Sequence, residues 1–144
     1  TTSLSHASLL CSRNIQVVVV GGKLHADELT MTGPIAEATL SRFYADICVL
    51  GAAGIDPAIG VTELEYEAAS IHRLMIERSR QVMLLADHSK LGFRAAAVVA
   101  PARMVHCLMT DDAAPVDILS QLRSCGIEEI TLVGDQASSL ITKV

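Results

Sequence analysis

Nearly unbroken apolar runs at residues 15–20, 45–51, 81–86 and 105–110 constrain this chain more than any other feature. A strand with one wet face alternates apolar and polar residues, whereas a run without alternation suits a strand covered on both faces of a parallel sheet. Between the runs lie stretches with helical spacing. Ser3 is a candidate N-cap for a helix over 4–13, with Leu4, Ala7, Leu10 and Cys11 recurring at helical intervals. Gly33-Pro34 starts a second helix through about residue 43, with proline in its first turn. A third, over 63–79, carries Leu64, Ala68, Ile71, Leu74, Met75 and Arg78, and a fourth, over 116–125, is closed by Gly126. Short strands at 30–32 and 129–133 complete the pattern. Helix and strand alternate, so the expected fold class is α/β, a layered α/β/α domain with a mainly parallel sheet.

The chain has 144 residues, enough for one domain that buries roughly two thirds of its unfolded surface. Hydrophobic residues make up 51% but aromatics only 3%, with no Trp, so the core must be aliphatic. Cys11, Cys48, Cys107 and Cys125 show no paired spacing and sit among apolar neighbours, which predicts packed, reduced thiols and a cytoplasmic location. No apolar run approaches the roughly 18–20 residues of a membrane span, and no signal peptide is visible. A net charge of −5 without a Lys/Arg cluster gives this chain no footprint of its own on nucleic acid.

Ligands of open parallel sheets bind beyond the carboxyl ends of the strands. Two segments carry chemistry there. "GAAGIDPAIGVT", residues 51–62, holds three glycines and a proline in twelve residues and reads as a loop, with Asp56 and Thr62 as polar groups. "ADHSKLG", residues 86–92, offers Lys90 as a compact cation for a phosphate and Asp87 as an acceptor for sugar hydroxyls. Together they read as a phosphosugar site; separately, each is also ordinary turn chemistry. Glu63, Glu65 and Glu67 either favour the positive end of a helix or put one carboxylate toward the ligand. The five histidines include no i, i+4 pair, so no metal site is expected, and no nucleotide-binding glycine motif or nucleophile elbow is present.

The segments "TTSL", "GGKL", "TGPIAEATL", "DICVLGAAGIDPAIGVTELEYEAA", "LMIERS" and "LLADHSKLG" occur in an order that closely resembles the effector domain of DeoR-type transcriptional repressors, over residues 1 to about 134. The resemblance implies a three-layer α/β/α, Rossmann-like domain similar to ribose-phosphate isomerase-like proteins. It implies a phosphorylated sugar or polyol effector, no catalysis and no cofactor. Carried over residue by residue, the ligand site comprises Thr1, Thr2 and Ser3, then Gly51, Ala52, Ala53, Gly54 and Asp56, then Thr62, Asp87 and Lys90. Thr2 stands where the family usually has Asn. The family's winged helix-turn-helix and its Gly-Thr-Thr phosphate loop are not in the sequence, so the domain is expected to be N-terminally incomplete. Operator DNA would be reached only through that missing part, and residues 135–144 form a C-terminal tail. Because operators read by helix-turn-helix proteins usually demand dimers, a homodimer or homotetramer is expected, with no membrane partner. Two alternatives stand beside this reading: a sugar-phosphate isomerase or deaminase using Asp87 and a glutamate near Lys90, and an oligomerisation module with a vestigial pocket.

Overall fold

The computed structural model describes residues 1–134 together with Thr142 and Lys143. The chain divides into two compact units, Thr1–Tyr44 and Ala45–Val144.

The first unit contains helix α1 (Leu4–Cys11), strands β1 (Lys23–His25) and β2 (Thr30–Thr32), and helix α2 (Pro34–Leu40). Ser3 caps α1 as expected, its hydroxyl oxygen accepting from the His6 amide at 3.2 Å. β1 and β2 pair antiparallel, and Pro34 opens α2. Gly22, with φ 117°, has no room for a side chain, because a Cβ there would lie 2.5 Å from the Thr32 carbonyl oxygen.

The strand expected at 15–20 is not found. Among the described residues this segment joins no ladder, and Ile15, Val18 and Val19 are exposed while only Val20 is buried. Among the described residues its backbone bonds go to Thr1: the Thr1 ammonium donates to the Val18 carbonyl at 2.8 Å, and the Val20 amide donates to the Thr1 carbonyl at 3.2 Å. β-branched composition favours extension, but a strand also needs a neighbour for its N–H and C=O groups.

The second unit runs β3 (Ala45–Leu50), β4 (Gly54–Asp56), β5 (Gly60–Glu63), α3 (Tyr66–Glu77), β6 (Ser79–Leu85), β7 (Ala97–Ala100), β8 (Cys107–Asp111), α4 (Val116–Ser124), β9 (Glu129–Val133) and β10 (Thr142–Lys143). The main sheet has the order β10-β9-β8-β6-β3; β9, β8, β6 and β3 are mutually parallel and β10 is antiparallel. Flanked by helices, this is the mixed α/β class that the alternation predicts, Rossmann-like as the resemblance implies. Of the tail expected at 135–144, only Thr142 and Lys143 fall within the described residues.

Register aligns Leu50 with Leu84, Leu84 with Leu108, and Leu108 with Ile130 across the four parallel strands. This row is buried in one cluster with Ala69 and Ile76 of α3, Leu122 of α4, and Ile55, Val61 and Val99 of a smaller sheet. Each buried aliphatic side chain contributes roughly 2 kcal/mol. The opposite face departs from expectation: Ile47, Val49 and Leu85 remain 54%, 52% and 43% exposed, so these strands are not covered on both faces.

The smaller sheet, β4-β5-β7, is antiparallel and corrects the reading of 51–62 as a loop. Gly54–Asp56 and Gly60–Glu63 form a hairpin whose Pro57-Ala58-Ile59 turn is organised by Asp56, and β7 is a strand the sequence reading does not contain. Because Glu63 is drawn into β5, α3 begins at Tyr66 rather than at 63, and the Glu63 carboxylate lies 3.0 Å from the His72 ring. All four cysteines are free, but Cys11 is exposed rather than packed.

Candidate functional site

Leu50 and Leu84 are paired at the carboxyl ends of parallel neighbours β3 and β6, so the segments that follow them leave the sheet at the same end. After β3 the chain passes Gly51, Ala52 and Ala53 into the hairpin. After β6 it forms a single 3-10 turn over His88–Lys90. Main-chain bonding stitches the two together: Ile55 bridges to Leu91, and the Gly92 amide donates to the Ile55 carbonyl at 2.7 Å. Gly54 is required by this approach, since a Cβ there would lie 2.3 Å from the Phe93 carbonyl oxygen. The glycine loop and "DHSK" are thus brought together as expected.

Asp56 and Thr62 face inward. Asp56 is 5% exposed; its Oδ1 accepts from the Ala58 and Ile59 amides, both at 2.9 Å, and its Oδ2 from Arg94 Nε at 2.8 Å. Burial pushes its carboxyl up, but the bonds from Arg94, Ile59 and Ala58 and the Arg94 charge outweigh it and hold the group below its ordinary value. Thr62 is fully buried, its hydroxyl donating to the Gly54 carbonyl at 3.2 Å and accepting from the Ala95 amide at 3.0 Å. Both side chains brace the hairpin against residues 91–95.

Asp87 and Lys90 lie on the turn that follows β6. Asp87 is exposed and caps the 3-10 turn, accepting from the Ser89 amide at 2.9 Å and from the Ser89 hydroxyl. Those bonds lead in holding its carboxyl below the usual range, with the Lys90 and His88 charges adding to them. Lys90 is half-buried and takes part in none of the ion pairs among the described residues. Ala52 and Ala53 are half-buried beside the exposed Gly51.

A residue missed in the sequence also stands here. Asp111, the last residue of β8, accepts from the His88 amide at 2.7 Å through Oδ2, while its Oδ1 lies 2.8 Å from His88 Nδ1 and accepts from the Ala113 amide at 3.0 Å. The His88 amide bond is the main cause of its lowered pKa. Asp87, His88 and Asp111 each place one ligand atom within 4.8 Å of the others, a spacing a cation could use, but their bonds within the chain already account for the arrangement. Helical i, i+4 spacing could not reveal this group, because it joins two strand ends. The signal available was an aspartate ending each of two neighbouring apolar runs.

Thr1, Thr2 and Ser3 belong to the first unit. Thr1 Oγ1 accepts from the Ser3 amide at 3.1 Å, the Thr2 carbonyl accepts from the Met31 amide at 2.9 Å, and Ser3 is buried at the start of α1.

Among the described residues no helix is long and apolar enough to cross a membrane. Residues 1–112 match the DeoR C terminal sensor domain. The chain is 35% identical to the glycerol-3-phosphate regulon repressor of Escherichia coli (strain K12) over 126 residues, covering 85% of this chain and 49% of that protein. It is 30% identical to the HTH-type transcriptional repressor CsqR of the same organism over 131 residues, covering 90% of this chain and 50% of the relative. A putative aga operon transcriptional repressor of Escherichia coli O157:H7 is 27% identical over 128 residues, covering 89% and 47%. The chain spans about half the length of the curated relatives it matches. With a sensor-domain match over most of its length, and the glycine loop and lysine turn joined at one sheet edge, the chain belongs to the DeoR C-terminal sensor domain family.

Proposed function

We propose that this chain is the effector-binding part of a transcriptional repressor and that its effector is a phosphorylated sugar or polyol. The sensing domain comprises residues 1–134, with 135–144 as its tail. The observation that carries the reading is Lys90: an ammonium free of ion pairs among the described residues, at the carboxyl ends of parallel strands, beside a loop of small residues. In this role Lys90 pairs with the phosphate, Asp87 accepts from a ligand hydroxyl, and Gly51, Ala52, Ala53 and Gly54 allow close main-chain approach. Asp56 and Thr62 hold the hairpin that shapes the loop. The name of one relative, a glycerol-3-phosphate regulon repressor, favours a small phosphorylated polyol. Operator DNA is engaged by a separate DNA-binding part of a longer protein, as a homodimer or homotetramer, and no chemical step occurs at the site.

The test is a thermal-shift panel of glycerol 3-phosphate, fructose 1-phosphate, ribose 5-phosphate and amino-sugar phosphates, followed by calorimetry on the best binder. Lys90→Ala should lose on the order of ten- to a hundredfold in affinity without a change in melting, because a charge-assisted bond to phosphate is lost from an outward-facing group. Added salt should weaken wild type more than the variant. Equal affinity in the two proteins retires the assignment, and turnover of any panel compound would turn the reading toward an isomerase or deaminase.

A further inference from the structure

We infer that Asp111 is a positioning residue of the effector site: its carboxylate fixes the Asp87–Lys90 turn, and so the Lys90 ammonium, over the carboxyl ends of β6 and β8. The inference rests on the phosphate reading of Lys90 given above.

β6 and β8 are parallel neighbours, with Leu84 opposite Leu108 and Leu85 opposite Met109. Sheet-like bonding between them continues one step past β6, to the bond from the Ala86 amide to the Met109 carbonyl at 3.1 Å. Beyond that point the Asp111 side chain takes over, receiving the His88 amide on one oxygen and facing His88 Nδ1 with the other. The carboxylate is itself steadied by the Ala113 amide of its own loop. Two aspartates therefore divide the work. Asp87 sets the turn's internal shape through the Ser89 amide and hydroxyl, with the Lys90 amide closing onto the Asp87 carbonyl at 3.0 Å. Asp111 sets where that turn sits. Removing Asp111 leaves the turn's own cap intact but takes away a tie two residues from Lys90, and small displacements of a binding group are costly to its ligand contacts.

The charge of Asp111 makes the test sharp. Asp111 is an anion near a site that would hold an anionic phosphate, so simple electrostatics predicts that deleting it tightens binding or leaves it unchanged. Positioning predicts the opposite sign. Wild type, Lys90→Ala, Asp111→Ala, Asp111→Asn and the double variant Lys90→Ala/Asp111→Ala would be titrated by calorimetry with glycerol 3-phosphate and with fructose 1-phosphate, each protein's melting being recorded alongside. Asp111→Ala should weaken binding about tenfold. Asp111→Asn, which keeps an acceptor for the His88 amide, should fall between the two. The double variant should bind within about twofold of Lys90→Ala alone, because residues acting through one another are not additive.

Equal or tighter binding by Asp111→Ala, or full additivity in the double variant, overturns the inference while leaving the Lys90 site intact. Lys90→Ala binding as tightly as wild type, or wild type binding neither compound, overturns the site reading and this inference with it. Should Asp111→Ala fail to fold, Asp111→Asn carries the same test of sign.

Discussion

The hairpin turn after β4 and the turn after β6 are each organised by an aspartate that accepts main-chain amides two or three residues further on, yet the two groups live in different surroundings. Asp56 is buried, closed on both oxygens, and joined to the exposed Arg94. Asp87 is exposed and, among the described residues, bonded only within its own turn, which is tied down from outside by Asp111. The same side-chain chemistry serves cohesion in one place and presentation in the other. An amide-to-carboxylate bond holds structure when water is excluded, because nothing replaces it if it is lost; in the open, solvent replaces it and only geometry is at stake.

The largest effect is expected at the rigid end of the hairpin. Gly60 has φ +97°, and a Cβ there would lie 2.2 Å from the Ala100 carbonyl oxygen, against backbone that cannot give way. Gly60→Ala should cost about 3 kcal/mol in urea unfolding, combining backbone strain with steric conflict. A small loss would mean that the hairpin is pliable. Next in size is Asp56→Ala, which orphans the Ala58 and Ile59 amides and should cost about 2 kcal/mol by the same measurement. Its pH dependence sharpens the point. Because the Asp56 pKa is depressed in the folded state, its contribution is full above the unfolded carboxyl value of about 3.9 and is lost as pH falls through the folded value. The stability gap between wild type and Asp56→Asn should therefore close below about pH 4, and a gap constant from pH 7 to pH 3 would count against it. The smallest effect on the fold is expected from Asp87→Ala. Its melting should stay close to wild type while affinity for glycerol 3-phosphate falls, and a loss of stability equal to that of Asp56→Ala would erase the distinction drawn here.

Much of this arrangement could be read before any coordinates. The strands at 45–50, 79–85, 107–111 and 129–133 were legible because each is a concentrated aliphatic run whose helix or loop boundaries carry their own glycine or aspartate markers. The helix closed by Gly126 followed from the same logic. What failed depended on partners. Residues 15–20 have the composition of a strand and no ladder among the described residues, and composition cannot report who stands beside a segment. The hairpin was hidden because its strands are only three and four residues long, too short for alternation to register. Asp56-Pro57 was the turn signal that could have exposed it. Asp56, Thr62, Asp87 and Lys90 all stand out in the sequence as candidates, but it does not show that the first two are buried in the hairpin and the third is exposed. That division depends on Arg94 and Ala95, which meet them only after the chain has crossed back.

The bond from the Gly92 amide to the Ile55 carbonyl also bears on motion. A turn tied only to its own strand could open alone, exposing its amides on a fast timescale. Here the residue that ends the lysine turn is also pinned to the first strand of the hairpin, so lifting the turn outward pulls against β4 and the cluster in which Ile55 is fully buried. Local opening of one becomes opening of both, a single cooperative unit in hydrogen exchange. The Gly92 and Ile59 amides should then exchange with similar protection, and a denaturant that releases one should release the other.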